Sequence, residues 1–268
     1  MDRSVLKIAT VNVNGIRAAW RKGMPEWLEA RQPEVVLLQE VRAPDEMMAD
    51  FFDPESWDLA HQASEFKGRA GVAIASRLPM SAVRIGLGAG EPTNSGRWVE
   101  ADLELPGGGT LTVVSVYIHS GDVGTQKQVD KYAFLDLMTA RLAELAASGE
   151  KVVVAGDFNI AHKNVDLKNW KANQKVAGFL PEERAYLDGW FESGWADLGR
   201  ELGGEGPGPY TWWSQRGKAF DNDAGWRIDY QIATEPLAGL ARTAEIDRAP
   251  AWDQRWSDHA PLVISYEL

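Results

Sequence analysis

The sequence predicts an α/β fold, a four-layer sandwich of two mixed β-sheets packed face to face with helices outside, in one domain over residues 1–268. Three observations support this prediction. Short apolar runs of strand length alternate with segments of helical periodicity along the chain. The glycine- and proline-rich stretches are too short to link two domains. Residues 9–14 and 154–159 each predict a strand that is followed by asparagine. This two-fold repeat along the chain favours two sheets.

The elements of the first half follow from local patterns. Residues 5–13 alternate apolar and polar side chains and predict a strand, and Pro25 opens a helix over residues 25–30. Residues 35–39 form a short apolar run typical of a buried strand. Further strands are predicted at 71–75, 98–105 and 110–118, and the turn at 106–109 joins the last two as a hairpin.

The second half begins with a predicted helix over residues 131–147, where apolar side chains recur at helical spacing. Residues 152–155 predict a buried strand. Pro181 opens a helix to residue 191 that carries acidic residues in its first turn. The remaining predictions are closing strands at 227–233 and 262–266 and loops at 86–96 and 203–209.

The composition limits the class of protein. The chain is 44% hydrophobic and 25% charged, which is ordinary for a soluble globular protein. It contains no cysteine, so a disulfide framework and a thiolate metal site are excluded. No signal-peptide pattern opens the chain, and no apolar stretch reaches the roughly 18 residues of a membrane span. We expect a cytoplasmic monomer that does not associate with a membrane.

The charge balance leaves the class of substrate open. The net charge is −11, whereas proteins that bind nucleic acids are commonly basic. A soluble enzyme with a small substrate is one interpretation. The other depends on local charge, because four lysines lie between residues 163 and 175, where they form either a solvated face or a contact to phosphate.

Polar side chains close the predicted strands, although strand ends of this kind are normally buried. Carboxylates and amides rarely occupy such positions unless they are paired or coordinated. The sequence therefore predicts one converging site at one edge of the sandwich. Oxygen ligands of this type suit Mg²⁺ or Mn²⁺, and a histidine beside them suits proton transfer near neutral pH. The residues are Asn12, Asn14, Glu40, Tyr117, Asp157, Asn159, Asp229, Asp258 and His259.

Several other chemistries lack their motifs in this sequence. There is no HExxH and no cysteine cluster for a zinc protease, and no Walker loop or GxGxxG for a nucleotide. There is no GxSxG nucleophile elbow for a serine hydrolase. The hydrolysis of a phosphoester with the help of a metal ion remains, because a cation stabilises phosphoryl charge and a base activates water.

Six motifs between residues 8 and 266 resemble, in the right order, the exonuclease III family of apurinic/apyrimidinic endonucleases. The resemblance implies a Mg²⁺-dependent DNA repair nuclease, with Mn²⁺ as a substitute, that cuts double-stranded DNA 5′ to an abasic site. It also implies 3′–5′ exonuclease or 3′-phosphodiesterase activity on modified 3′ ends. The motifs are residues 11–17, 38–40, 156–161, 177–184, 226–230 and 257–261.

An alternative within the same fold is a phosphodiesterase that acts on undamaged DNA or on a phosphoester outside nucleic acids. The acidic composition supports this alternative. Residues 177–184 speak against it, because the wider superfamily generally lacks that segment.

The resemblance also implies roles for individual residues. Glu40 would ligate the metal. His259, oriented by Asp229, would act on the scissile phosphate as a base or a charged stabiliser, and Asp157 would activate or position the attacking water. Asn159 would hold the transition state, and Tyr117 would contact the phosphate or assist the leaving group. The candidate metal ligands taken together are Asn12, Glu40, Asp157, Asn159, Asp258 and His259.

The remaining candidates would bind substrate. Trp212 matches the aromatic wall of an abasic-sugar pocket, with a core residue as the other interpretation. Asn14 and Arg42 complete the set, and Arg42 stands where the family often has lysine. Ser120 replaces the amide that usually donates to phosphate, and His119 replaces the usual proline before it. These departures bear on the balance between endonuclease and exonuclease activity.

Overall fold

The computed structural model describes residues 5–89, 91 and 96–268. Residues 90 and 92–95 of the predicted loop at 86–96 lie outside the described part. The strands of the described part are β1 (Val5–Asn12), β2 (Val35–Gln39), β3 (Asp58–Gln62), β4 (Val72–Ser76), β5 (Met80–Ile85), β6 (Trp98–Glu104), β7 (Thr110–Tyr117), β8 (Lys151–Asp157), β9 (Ala196–Asp197), β10 (Asp229–Ala233), β11 (Ala241–Ile246) and β12 (Leu262–Glu267).

The helices lie between these strands. Within residues 5–89, 91 and 96–268, three short 3₁₀ helices cover Asp45–Asp50, Asn164–Asp166 and Trp252–Gln254. The α-helices of the described residues are α1 (Ile16–Arg21), α2 (Met24–Arg31), α3 (Gln126–Ala147), α4 (Trp170–Asn173), α5 (Pro181–Glu192), α6 (Leu198–Gly203) and α7 (Glu235–Ala238). Among the described residues, no helix is both long and apolar enough to cross a membrane.

The two sheets repeat one pattern of strand directions. The first sheet has the order β3-β4-β2-β1-β12-β11, and the second has the order β5-β6-β7-β8-β10-β9. In each sheet the central pair is parallel, β2 with β1 and β7 with β8, and every other pair is antiparallel. The two-fold repeat in the sequence therefore corresponds to two sheets of matching topology, and the predicted fold class is confirmed.

The main core lies between the sheets. Ile8 and Leu37 of the first sheet share one buried cluster with Val113 and Val153 of the second. Burial of such aliphatic side chains contributes roughly 1.5–3 kcal/mol each, so this cluster is a major contribution to the stability of the fold. The outer faces are also covered. Helices α3 and α5 pack on the second sheet, while α1, α2 and the 3₁₀ helix Asp45–Asp50 pack on the first.

The strands that the sequence did not predict are β3, β5, β9 and β11, and all four are edge strands of their sheets. Their burial is partial, as in β5, where half-buried and exposed residues alternate. An edge strand needs no continuous apolar run, because one side of its ladder and often one face meet water. Helix α3 also begins at Gln126, five residues before the prediction, because the only apolar residue in its first turn, Val129, is exposed and adds nothing to the apolar face.

The matching topology brings polar strand ends to one edge. The parallel pairs end together, with Asn12 opposite Gln39 and Tyr117 opposite Asp157. The antiparallel neighbour β10 starts at the same level, because Asp229 pairs with Asp157. Carboxyl ends of parallel strands therefore meet the starts of β10 and β12 at a single rim, where a site can form.

Candidate active site

A cavity of about 640 Å³ opens at this rim. Of the twelve residues predicted to form a site, Asn12 and Asp229 lie behind the cavity wall and are fully buried. The other ten line it: Asn14, Glu40, Arg42, Tyr117, Ser120, Asp157, Asn159, Trp212, Asp258 and His259. The structure thus brings together side chains that are far apart in sequence, as in the bond from Asn14 Nδ2 to Asp258 Oδ1, which joins residues 244 positions apart.

Two matching turns shape the floor of the site. The Asn14 backbone N–H donates to Asn12 Oδ1 at 2.9 Å, and the Asn159 backbone N–H donates to Asp157 Oδ1 at 2.9 Å. Asn14 and Asn159 both adopt positive φ, 47° and 51°, which asparagine tolerates better than most residues. Each contact bends the chain directly after a central strand, which places Asn14, Asp157 and Asn159 in the cavity lining, while Asn12 lies behind it.

Asp157 is held close to β7 by the residue before it. Gly156 has φ +152°, and a Cβ at this position would lie 1.9 Å from the Val116 carbonyl oxygen. Only glycine allows the two strands to approach in this way.

A histidine between two aspartates forms the centre of the site. His259 Nδ1 lies 2.9 Å from Asp229 Oδ2, and His259 Nε2 lies 3.8 Å from Asp157 Oδ2. Burial alone would lower the pKa of His259, but the adjacent carboxylates of Asp229 and Asp157 outweigh it and raise that pKa well above its ordinary value. The imidazole therefore carries a proton at neutral pH, with Nε2 directed toward Asp157 and the cavity.

Asp157 has the opposite environment from an ordinary surface aspartate. Burial raises its pKa, and the negative charges of Asp229 and Glu40 raise it further, while His259 and Asn12 oppose the shift. Asn12 Nδ2 donates to Asp157 Oδ2 at 2.9 Å and to Glu40 Oε1 at 2.8 Å. One amide thus joins carboxylates from the two sheets, and the concentration of negative charge gives Asp157 the affinity for a proton that a base requires.

Glu40 and Tyr117 form the neighbouring wall. Glu40 has φ 48° and also pairs with Arg42. Burial raises the pKa of the Tyr117 hydroxyl well above its usual value, with further contributions from Glu40 and Asp157, so it is a hydrogen-bond donor at all working pH values. Arg97, which the sequence analysis missed, lies 4.7 Å from the centre of the Tyr117 ring and fixes it by a cation–π contact.

Asp258 and its sequence neighbour His259 have different hydrogen-bond partners. Asn14 Nδ2 donates to Asp258 Oδ1 at 2.9 Å, and the Trp212 indole N–H donates to Asp258 Oδ2 at 3.1 Å. Among the described residues, one group of three acidic or histidine side chains has ligand atoms that all lie within 4.8 Å of one another, and it consists of Asp157, Asp229 and His259. That group includes Asp229, which was expected to orient the histidine, and does not include Glu40 or Asp258.

The other half of the cavity is apolar. Trp212 is half-buried, and its ring packs edge-on against Trp226 at a centroid distance of 6.2 Å. Trp213 points the other way into a buried cluster. Trp212 is therefore a wall of the cavity, and Trp213 is the core residue of the pair. Val176 and Gly178 complete this apolar half.

Sequence reasoning missed a buried lysine beneath the site. Lys131 Nζ lies 2.8 Å from Glu183 Oε1 and donates to the Asn159 carbonyl at 2.9 Å. It thereby ties helices α3 and α5 to the turn that carries Asn159. The available signal was a lysine on the apolar face of α3, four positions before Leu135. Asp122 and Val123 also line the cavity, and no motif marked them.

The lysine segment divides into two parts. Lys175 lines the cavity. Lys163 instead lies 2.6 Å from Asp188 Oδ1, outside it. Ser120 is exposed at the cavity mouth, while the neighbouring His119 is half-buried against Phe134.

The sequence profile of the endonuclease/exonuclease/phosphatase family matches residues 9–259. The chain belongs to this family. Among curated proteins, it is 31% identical to an exodeoxyribonuclease of Bacillus subtilis (strain 168), over 97% of this chain and 98% of the relative. It is 31% identical to the DNA repair nuclease APEX1 of Danio rerio, over 97% of this chain and 81% of the relative.

Solved structures agree with this assignment. An AP endonuclease from Archaeoglobus fulgidus superposes with a TM-score of 0.87 at 29% identity, covering 98% of this chain and 100% of that one. A 3′-5′ exonuclease from Neisseria meningitidis superposes with a TM-score of 0.86 at 27% identity, with the same coverage. The similarity to these nucleases therefore covers nearly the whole chain.

Proposed function

We propose that this chain is a DNA repair nuclease that uses Mg²⁺, or Mn²⁺ in its place, to hydrolyse the phosphodiester 5′ to an abasic site. The observation that carries the proposal is the placement of His259 between Asp229 and Asp157 at the wall of a cavity that also has an apolar half. Relatives along the whole chain are exodeoxyribonucleases and AP endonucleases. We therefore include 3′–5′ exonuclease or 3′-phosphodiesterase activity on modified 3′ ends in the proposal.

The oxygen-rich wall fits a hard divalent cation. Glu40 and Asp157 supply carboxylates, and Asn12 lies between them with its amide. Hard cations prefer such oxygen ligands, and Mg²⁺ needs only one or two carboxylates because it retains waters. We propose Glu40 as the principal ligand, with the others drawn from Asn12, Asp157, Asn159 and Asp258. We leave His259, which the sequence analysis included among the candidate ligands, out of this set, because a protonated imidazole has no lone pair to offer a metal ion. When bound, the ion would neutralise charge on the phosphoryl group and the leaving oxygen.

Asp157 and His259 divide the proton chemistry between them. Asp157 has a raised pKa and faces the cavity, so it can accept a proton from an attacking water. His259 is already protonated and hydrogen-bonded to Asp229, so its Nε2 N–H would stabilise negative charge on the phosphate instead of taking a proton. This choice between the two roles considered for His259 follows from its carboxylate neighbours.

Asn159 and Tyr117 would stabilise the transition state as donors. The Asn159 amide now donates to the Ile118 carbonyl at 2.9 Å and to Asp157 Oδ2 at 3.2 Å. Its longer bond is the one that can be exchanged for a phosphate oxygen. Tyr117 keeps its proton, so it can donate to the phosphate or to the leaving oxygen. Ser120, Arg42 and Asn14 lie around them at positions suited to substrate contact.

The apolar half accounts for the proposed preference for abasic sites. Trp212 and Trp226 border a space beside the acidic wall that a deoxyribose without its base can enter. A nucleotide in a paired duplex would have to leave the stack first, which costs a few kcal/mol. The cavity is complete within one chain, so we propose that the protein acts as a monomer. We further propose a cytoplasmic location, which fits the absence of cysteine.

The test compares three substrates: a duplex with one abasic site, the matched undamaged duplex, and a duplex with a recessed 3′ end. Each is incubated with and without Mg²⁺ across a salt series. We expect incision 5′ to the abasic site that requires Mg²⁺, with slower digestion from the 3′ end. A purified, folded chain that leaves the abasic duplex intact while hydrolysing a small phosphodiester would contradict the proposal.

A further inference from the structure

A second cavity of about 400 Å³ adjoins the active site on the side of the first sheet. We call it the Trp252 cavity. It shares Asn14 and Asp258 with the catalytic cavity, so the two are separated only by that hydrogen-bonded pair. The rest of its lining includes Lys22, Gln215, Trp252 and Arg255. None of these four residues has a role in the proposed hydrolysis.

Trp252 is unusual because its large side chain is placed in water. It is 50% exposed, whereas Trp98, Trp190, Trp195 and Trp213 are each no more than 2% exposed. It occupies a 3₁₀ helix, Trp252–Gln254, that ends four residues before Asp258. An exposed indole beside a catalytic cavity can bury its remaining aromatic surface when a flat ligand stacks on it.

Arg255 holds cationic and polar groups next to this indole. Its guanidinium carbon lies 5.6 Å from the Trp252 ring centroid, and its Nη2 donates to Gln215 Oε1 at 3.3 Å. Its Nη1 is buried and has no hydrogen-bond partner among the described residues. Lys22 is exposed on the opposite side and forms no ion pair within the described part of the chain. The wall of the cavity thus combines an aromatic face, one buried donor without a partner and the positive charges of Lys22 and Arg255.

We propose that the Trp252 cavity is a second nucleotide site, which stacks an unpaired base of the DNA strand next to the nucleotide held in the catalytic cavity. The proposal rests on the proposed function, because the strand reaches this cavity by passing Asn14 and Asp258. Stacking on Trp252 would satisfy its exposed ring, while Gln215 and Arg255 meet the polar edge of the base. Lys22 meets a phosphate. The site would favour DNA that is frayed, mismatched or single-stranded beside the cleaved bond.

The experiment measures the affinity of the full chain for two labelled oligonucleotides in EDTA, so that no cleavage occurs. One is a fully paired duplex with an abasic site, and the other has mismatches flanking that site. Stacking on one aromatic residue is worth about 1–3 kcal/mol per base, or roughly 5- to 150-fold in affinity. We expect Trp252→Ala to lose that factor on the mismatched duplex and much less on the paired one. Trp252→Phe should retain most of the affinity.

Ile85→Ala provides the matched control, since Ile85 is 56% exposed on the edge strand β5, away from both cavities. It should bind both oligonucleotides like the wild type. Equal affinity of Trp252→Ala and wild type for the mismatched duplex would overturn the proposal, and so would equal losses on both duplexes. Neither result touches the proposed function, which fails separately if the wild type does not incise the abasic duplex.

Discussion

Two buried clusters of charged residues are centred on Arg227 and Asp229, which lie two positions apart in the chain, and the clusters differ in net charge. Around Arg227, two arginines face two aspartates: Arg227 bonds Asp166 and Asp197, and Arg200 also pairs with Asp166. Around Asp229, the carboxylates of Asp229, Asp157 and Glu40 gather near one imidazole, that of His259. The first cluster is neutral and saturated with hydrogen bonds, while the second has an excess of negative charge.

The pKa values follow this difference. Burial would raise the pKa of Asp166, but the charges of Arg227 and Arg200 lower it to about 2. The pKa of Asp157 is raised instead, because burial and neighbouring carboxylates act in the same direction. Burial thus stabilises an ionised aspartate only where cations accompany it. The balanced cluster suits stability, and the unbalanced one remains ready to take up a proton or a metal ion.

The largest effect is expected in the unbalanced cluster. Asp157→Asn removes the proposed base, and His259→Ala removes the proposed stabiliser of the phosphate, so each should lower kcat for abasic-site incision by about 10²–10⁴. Single-turnover kinetics at saturating DNA measure this loss directly. Circular dichroism of both variants provides the control for folding. Near-wild-type turnover in either variant would show that the site is misplaced.

The balanced cluster should respond in stability. Arg227→Met leaves Asp166 and Asp197 without their buried partner, and breaking such a pair costs about 3–5 kcal/mol. Urea unfolding measures the change. The matched control is Arg84→Met, since Arg84 also bridges two carboxylates, Glu100 and Asp102, but is 39% exposed. The loss in this variant should be no more than about 1 kcal/mol, because Arg84 is partly in water and the buried Glu100 keeps its ion pair with Arg141. Equal losses in the two variants would remove the distinction between the clusters.

Acid sensitivity provides a smaller effect of the same cluster. The folded pKa of Asp166 is lowered from 3.8 to about 2, so its stabilising contribution is complete above pH 3.8 and disappears as the pH falls toward 2. The shift corresponds to about 2 kcal/mol. Unfolding free energies measured from pH 5 to 2 should fall more steeply for the wild type than for Asp166→Asn. Parallel curves would mean that the pKa of the Asp166 carboxyl is not lowered in the folded protein.

The smallest effect concerns metal binding at the unbalanced cluster. Mg²⁺ at ten times its dissociation constant should stabilise the folded chain by about 1.4 kcal/mol, because only the folded state assembles the ligands. Glu40→Gln should remove most of this gain. Differential scanning calorimetry with and without Mg²⁺ measures it, and Asp253→Asn, a change at an exposed carboxylate outside the catalytic cavity, serves as the control. A gain in Glu40→Gln as large as in the wild type would assign the ion to other ligands.

The difference between interior and edge strands explains how much of the fold the sequence could predict. All eight interior strands were found, because burial on both faces requires apolar runs such as Val35–Gln39. The edge strand Met80–Ile85 has no such run, since its pairing partner determines its conformation. The local sequence pattern thus predicted the strands that are buried on both faces.

The candidate site divides in a similar way. Its polar residues could be chosen from the sequence because carboxylates at the ends of apolar strands conflict with burial unless they serve a purpose. The hydrogen-bond partners of these residues could not be predicted from the sequence. Asp258 bonds to Asn14 and Trp212 while its neighbour His259 bonds to Asp229, and nothing local distinguishes these outcomes.

The sequence by itself determined the α/β class, the interior strands and the polar residues available at their ends, because each depends on the chemistry of a short segment. Only the tertiary structure decided which carboxylates surround His259, which arginines neutralise Asp166 and Asp197, and where Trp252 lies relative to the active site. These outcomes depend on distances of a few ångströms between residues far apart in the chain. Electrostatic energies change steeply over such distances once water is excluded.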